Sequence, residues 1–177
     1  MLNTNFTPFP ILTADRLTLR QLSIDDQQSI FALRSDAEIN KYLGRQTSKT
    51  IEDAIDFINM ISDNMKKNNS IYWAITLTQT KTFVGTICLF DFSSEKKSCE
   101  IGYELMTKFQ GQGIMQEATR KVIDYAFQVL QFQEIVAFTH NDNQHSTKLL
   151  TKFNFIKSIA ADKENPDFNI FTLSYSN

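Results

Sequence analysis

The string Gln110-Gly111-Gln112-Gly113-Ile114-Met115 joins the end of an apolar, strand-like run to the start of a segment with helical periodicity. Glycine at such a junction lets the backbone come close to a ligand. The first turn of the helix that follows carries N–H groups without intrahelical partners, and the macrodipole adds partial positive charge there, which suits a phosphate or pyrophosphate. A glycine pair alone also marks an ordinary loop. The neighbours exclude two nucleotide motifs: no Lys-Ser/Thr pair follows the last glycine, as a P-loop requires, and no third glycine opens an early βαβ unit, as a dinucleotide fingerprint requires.

Glu100 is a carboxylate within the otherwise apolar run SCEIGYEL (98–105), where partial burial raises a pKa toward that of a general base. Glu104 and Asp91 compete for that role, and strand alternation places Glu100 and Glu104 on one face. The alternative is that these acids face solvent or pair with lysines. His140 and His145 lack the i, i+4 spacing and the accompanying carboxylates of a metal site, so no metal is expected. Cys88 and Cys99 sit in apolar runs and read as buried thiols rather than a disulfide framework.

These residues need elements to hold them. Leu17 and Leu19 in RLTLRQL (16–22) alternate with polar residues, the period of a half-buried strand, and Ser23 with Asp26 opens a helix over about 25–34. Thr50 and Asp53 repeat the capping arrangement before Ile51, Ala54, Ile55, Ile58, Ile61 and Met65, which recur at helical spacing. Runs at 71–78, 83–92 and 98–105, separated by short polar turns, predict an antiparallel meander. A helix over 114–130, a strand over 134–139, a short helix over 146–153 and strands near 155–160 and 168–174 complete the chain. Strand, helix, strand implies a parallel crossover.

At 177 residues, 42% of them apolar and 15 of them Phe, the chain fits one domain spanning 1–177. Eighteen Lys and Arg against twenty Asp and Glu give a net charge of −2, without the basic field that nucleic-acid binding needs. No signal segment and no apolar run of about 20 residues is visible, so a soluble cytoplasmic protein without a membrane partner is expected.

Four segments in order then carry a resemblance. The glycine loop is similar to the Gln/Arg-x-x-Gly-x-Gly/Ala pyrophosphate loop of the Gcn5-related N-acetyltransferase (GNAT) superfamily, with Gln110, Gly113 and Met115 at its defined positions. Met115 departs from the small final residue. GQGIMQEA looks like the loop of the branch that acetylates ribosomal-protein serine or alanine N-termini. FPILTADRLTLRQL (9–22) is similar to that branch's opening strand and CEIGYEL (99–105) to its fourth strand. Asn143-Gln144-His145-Ser146 and LLTKFNF (149–155) resemble the family's Asn-x-x-Ser and Leu-Leu-x-Lys-x-Gly-Phe. Asn154 replaces the Gly, and Asn is the next best residue for a left-handed C-cap. Lys157-Ser158 stands where a second branch carboxylate would be.

The resemblance implies an α+β fold: a mostly antiparallel sheet of about seven strands, splayed between the family's strands 4 and 5 and flanked by helices on both faces. It implies acetyl-CoA as acetyl donor. Tyr103, Glu104, Leu105 and Met106 would border the pantetheine arm. Gln110, Gly111, Gln112, Gly113, Ile114, Met115 and Gln116 would hold the pyrophosphate, Asn143 a pantetheine amide, and Lys148 or Lys152 a phosphate. Ser146 would protonate the leaving thiolate, Glu100 would act as base, and a backbone N–H near Tyr103 or Glu104 would meet the thioester oxygen. Each has a plainer alternative as core, cap or solvated surface. The branch implies a protein or peptide N-terminal amine as acceptor; relatives of this type also acetylate small amines, polyamines or aminoglycosides. A non-catalytic acyl-CoA sensor is a third reading, and a homodimer is a family-level expectation. Acceptor choice would fall to Tyr42–Ser48 and to 160–169, where Asp162, Glu164 and Asp167 hint at an acidic entrance.

Overall fold

The computed structural model describes residues 2–159 and 165–175. The elements run β1 (Leu12–Thr13), β2 (Leu17–Gln21), α1 (Gln27–Ser35), α2 (Ala37–Asn40), α3 (Ile51–Lys66), β3 (Ile71–Leu77), β4 (Phe83–Ser93), β5 (Ser98–Leu105), α4 (Ile114–Gln128), β6 (Glu134–His140), α5 (Gln144–Lys152), β7 (Ile156–Lys157) and β8 (Phe168–Ser174). They form one sheet in the order β1-β2-β3-β4-β5-β6-β8-β7, antiparallel throughout except for the β5–β6 pair. The count is eight rather than about seven, because the two-residue β1 precedes the strand that the sequence pattern marks. β5 and β6 therefore take the places of the family's fourth and fifth strands.

β3 shows why both faces are covered. Ile71, Trp73 and Ile75 point into a core shared with Ala118, Val122 and Ala126 of α4, while Tyr72 and Ala74 point into a second core with Ile30 and Leu33 of α1 and Ala54 and Ile58 of α3. Side chains alternate across a strand, so this β-branched and aromatic run serves two helical layers at once. Each fully buried Ile or Leu contributes about 1.5–3 kcal/mol.

The helix starts follow their caps. Asp53 N donates to Thr50 Oγ1 at 3.2 Å and Thr50 N donates to Asp53 Oδ2 at 3.0 Å, a reciprocal box that opens α3. Asp26 accepts from Ser23 N at 2.9 Å and is gripped at both oxygens by Arg20, at 2.7 and 2.8 Å, which ties the approach to α1 onto β2. α2 lies where the sequence reading has a loop. Its cap is Asp36, which accepts from Glu38 N and Ile39 N at 2.8 and 3.1 Å. After α5, Asn154 takes φ +62°, as its place at a left-handed C-cap demands. Much of the stretch 160–169, including Asp162 and Glu164, lies outside the described residues.

Parallel pairing of β5 with β6 is confined to three positions, Ser98↔Glu134, Cys99↔Ile135 and Glu100↔Val136. Both strands continue past it. Met106 N donates to Val84 O at 2.9 Å, so Met106 and Val84 are a hydrogen-bonded pair of the β4–β5 ladder. Because such pairs alternate along an antiparallel ladder, Gly102 and Glu104 also bond to β4, whereas the N–H and C=O groups of Ile101, Tyr103 and Leu105 point toward β6. The parallel pairing ends with Ile101 N–H on Val136 O; beyond it the N–H groups of Tyr103 and Leu105 have no strand partner there among the described residues.

Candidate active site

Gly111 and Gly113 adopt φ of +73° and +76°, and Gly113 is the N-cap of α4. A β-carbon at Gly111 would meet nothing within 4 Å, and at Gly113 it would meet Arg16 Nη2 at 3.5 Å, so conformation and not space selects glycine. The left-handed region costs other residues roughly 1–2 kcal/mol. With no capping side chain, the first-turn N–H groups of α4 stay open to an anion. Glu117 in that turn adds an unwanted negative charge, and Arg16 offsets it: Arg16 N and Nε donate to its two oxygens at 2.7 and 2.8 Å, and Arg16 Nη1 donates to Gln112 O at 3.1 Å. Arg16 thus braces the loop.

Every expected cofactor residue except Met106 and Gln112 lines one cleft of about 570 Å³ between β5, the start of α4 and α5. Met106 instead packs on the α1–α3 core. The Gln112 side chain turns back to donate to Lys108 O at 3.0 Å. Gln110 Nε2 donates to Leu105 O at 3.1 Å, closing the turn over one of the carbonyls that face β6. Lys152 Nζ donates to Gln116 Oε1 at 2.8 Å, which sets a positive charge beside the first turn of α4, while Lys148 is exposed. Asn143 caps α5, its Oδ1 accepting from Ser146 N at 3.1 Å; its Nδ2 has no partner among the described residues and is free to donate. Cap and ligand-facing donor are therefore compatible roles.

A second cavity, of about 320 Å³, opens on the α1–α3 face. Glu100, Gly102 and Glu104 share that face with Cys88 and Tyr72. Gly102 forms its floor, since a β-carbon there would lie 3.2 Å from Cys88 Sγ and 3.3 Å from Phe90 Cε1. The two acids separate by environment. Burial, and then the charge of Asp91, push Glu100 up to about 7, and among the described residues its carboxylate has no hydrogen-bond partner. Glu104 is held by both terminal nitrogens of Arg45, with Nη2 to Oε2 at 2.7 Å and a shorter contact from Nη1 to Oε1. Arg45 Nε donates in turn to Asn40 Oδ1 at 2.7 Å. Both Glu104 oxygens are thus engaged by one guanidinium, whereas those of Glu100 are not. Asp91 is exposed, at a left-handed position (φ +50°) beside the irregularity in β4.

Tyr103 and Ser146 belong to the walls of both cavities. Their hydroxyls are 2.8 Å apart, and burial pushes the Tyr103 phenol up to about 12, so it stays protonated at neutral pH. Because the N–H of Glu104 points to β4, that of Tyr103 is the one available toward β6. His140 sits between the rings of Tyr42 and Phe168, at 5.3 and 5.5 Å, and its Nδ1 accepts from Asp142 N at 3.2 Å. Burial also pushes the Cys88 and Cys99 thiols up, leaving them inert. Among the described residues no group of His, Cys, Asp and Glu is arranged to hold a metal, and no helix is long and apolar enough to cross a membrane.

Arg16, Arg34, Arg45 and His140 escape the sequence reading as site residues. Arg45 lies within the expected acceptor loop, but its partner is 59 positions away, and no local pattern announces such a pair.

The site thus joins a sheet whose pairing between two parallel strands is short, a helix start open to an anion and a carboxylate of raised pKa. Residues 16–156 match the family described as Acetyltransferase (GNAT) domain. The chain is 36% identical over 149 residues to the uncharacterized N-acetyltransferase YoaA of Bacillus subtilis (strain 168), covering 84% of each chain, and 32% identical over 146 residues to p20 of Bacillus licheniformis, covering 82% of each. Its fold is similar to that of the spermidine N-acetyltransferase of Vibrio cholerae solved with CoA and spermine (TM-score 0.79, 18% identity, 90% of this chain and 95% of that one). It is also similar to that of the ribosomal-protein-S5-alanine acetyltransferase of Vibrio fischeri (TM-score 0.75, 18% identity, 93% and 96%). The chain belongs to the GNAT acetyltransferase family, which uses acetyl-CoA as acetyl donor.

Proposed function

We propose that the protein transfers acetyl directly from acetyl-CoA to a primary amine, either a peptide N-terminus or a small amine, with Glu100 as base. The observation that carries this reading is the shared wall of the two cavities at Tyr103 and Ser146. The donor supplies an activated thioester carbonyl. Residues of the chain do the rest. The ammonium of the acceptor must lose a proton before its nitrogen can attack, and Glu100, poised near 7, accepts it. At ~3.3 Å per residue, Glu100 and Tyr103 are roughly 10 Å apart along β5, so that proton passes through ordered water.

Tyr103 N–H donates to the oxygen on which charge develops. The C–N bond forms, the C–S bond breaks, and Ser146 Oγ, held by the Tyr103 hydroxyl at 2.8 Å, gives a proton to the departing sulfur and takes back, through water, the proton that the newly acylated nitrogen sheds. The structures of related enzymes bear on the acceptor from two sides, one holding spermine and one named for a ribosomal-protein alanine.

Thiol release from acetyl-CoA, followed over a panel of peptides, polyamines and aminoglycosides, tests the reading. Turnover of at least one amine is expected. A rise in melting temperature with CoA but silence across the whole panel would replace it by a non-catalytic acyl-CoA-binding module.

A further inference from the structure

We propose that Arg34 is an anion anchor in the acceptor cavity, and that the amine accepted there carries a carboxylate. The proposal rests on the acetyl-transfer reading and narrows its substrate class. Arg34 lies near the end of α1, its guanidinium carbon 3.9 Å from the centroid of the Phe57 ring, and both residues border the cavity that holds Glu100. Its Nε is buried without a hydrogen-bond partner, and among the described residues neither Nη makes a hydrogen bond or an ion pair. Buried guanidinium donors are normally satisfied, so this one calls for a partner.

Charge tells the same story. Glu104 is the acid that senses Arg34, yet both Glu104 oxygens are taken by Arg45, which itself repels Arg34. Two guanidiniums against one carboxylate leave one positive charge uncompensated at this end of the cavity. An incoming carboxylate would answer the guanidinium, because bidentate capture of a carboxylate is what a guanidinium does best. Glu100 sets the orientation, because it accepts a proton from an ammonium and repels an acid. The preferred acceptor is thus zwitterionic, amine toward Glu100 and carboxylate toward Arg34. A polyamine would place a second cation against two arginines. The carboxylate is supplied either by a small amino acid or by an acidic side chain next to a peptide N-terminus.

Matched acids and amides test this. γ-Aminobutyrate against its amide represents the small-molecule source; Ala-Asp-amide against Ala-Asn-amide represents the peptide source; spermidine is the cationic control. In the wild type, kcat/KM for the acid should exceed that for its amide by about 10-fold or more in at least one pair, as expected for a charge-assisted contact. In Arg34→Met that ratio should fall to near one, with Arg34→Lys in between. With CoA present, the favoured acid should also raise the melting temperature of the wild type but not of Arg34→Met. Equal use of acids and amides, better use of spermidine, or an acid preference that survives Arg34→Met would overturn the anchor. A CoA-dependent shift by the acid without thiol release would uphold it and sink the acetyl-transfer reading instead. If Arg34→Met does not respond to CoA, and so is not folded, the wild-type ratio and Arg34→Lys decide.

Discussion

The cleft beside the glycine loop is walled largely by main chain: the left-handed turns at Gly111 and Gly113, the open first turn of α4 and the β6-facing amides of β5. The cavity on the α1–α3 face is walled by charged and aromatic side chains, with Glu100, Glu104, Arg34 and Arg45 drawn from three separate segments. Backbone recognition tolerates sequence change and suits a donor that never varies. Side-chain recognition can be rewritten one residue at a time, which suits an acceptor that differs between relatives of one fold.

If the two regions are separable, substitutions in one should leave the other's ligand untouched. The largest effect is expected from Glu100→Gln, which should lower kcat/KM for the acceptor by about 10²–10⁴ while the CoA-induced melting shift persists. Loss of that shift would break the separation. Next comes the pH profile: wild-type kcat/KM should climb about 10-fold per unit up to a break near 7, where Glu100 loses its proton, and Glu100→Gln should lack the break. Gly113→Ala should act on the other side, weakening CoA by about 10-fold in calorimetry, the equivalent of the left-handed penalty, with the acid-to-amide preference unchanged.

Ser146→Ala should cost less than about 10-fold in kcat, since a thiol of pKa ~8.5 leaves readily without an acid. A larger loss would mean that the Tyr103–Ser146 pair also positions the acceptor.

The smallest effect is on stability, and its sign is opposite to that of a salt-bridged acid. The Glu100 pKa is raised on folding from 4.5 to about 7, so the folded state holds this proton more tightly. Stability is therefore lost as pH rises through that window. The melting temperature of Glu100→Gln should gain on the wild type between pH 5 and pH 8; the reverse trend would contradict the burial of this carboxylate.

Much of the main-chain region was legible in the sequence because its signals are local. Gly111 and Gly113 stand beside a helical period, Asn143 opens a cap, and Asn154 marks a left-handed exit. The layers were legible for the same reason, through capping pairs at Ser23 and Thr50 and the periods of α3 and α4. β1 was harder, because a two-residue strand has no period to display, while the strand expected near 155–160 is present as the short β7. The short α2 left only the cap of Asp36 as a signal. The acceptor region was least legible. That Glu104 is occupied and Glu100 is not depends on Arg45, and that the helix start of α4 is braced depends on Arg16, whose partner Glu117 is 101 positions away. Pairing at such distances is written in the topology, and alternation along a strand could say only that the two acids share a face.

The stalled pairing of β5 and β6 bears finally on how this enzyme answers to mutation. Along β5 the even-numbered amides belong to the ladder with β4, that of Ile101 still belongs to Val136, and those at 103 and 105 face β6 without a strand partner among the described residues. An alanine scan would pass over that second set, because every residue but one brings the same N–H. Proline is the exception. At Tyr103, set against Tyr103→Ala to account for the lost hydroxyl, it would delete a β6-facing donor while sparing the ladder to β4, so a binding role of this main chain would be exposed by a single imino acid.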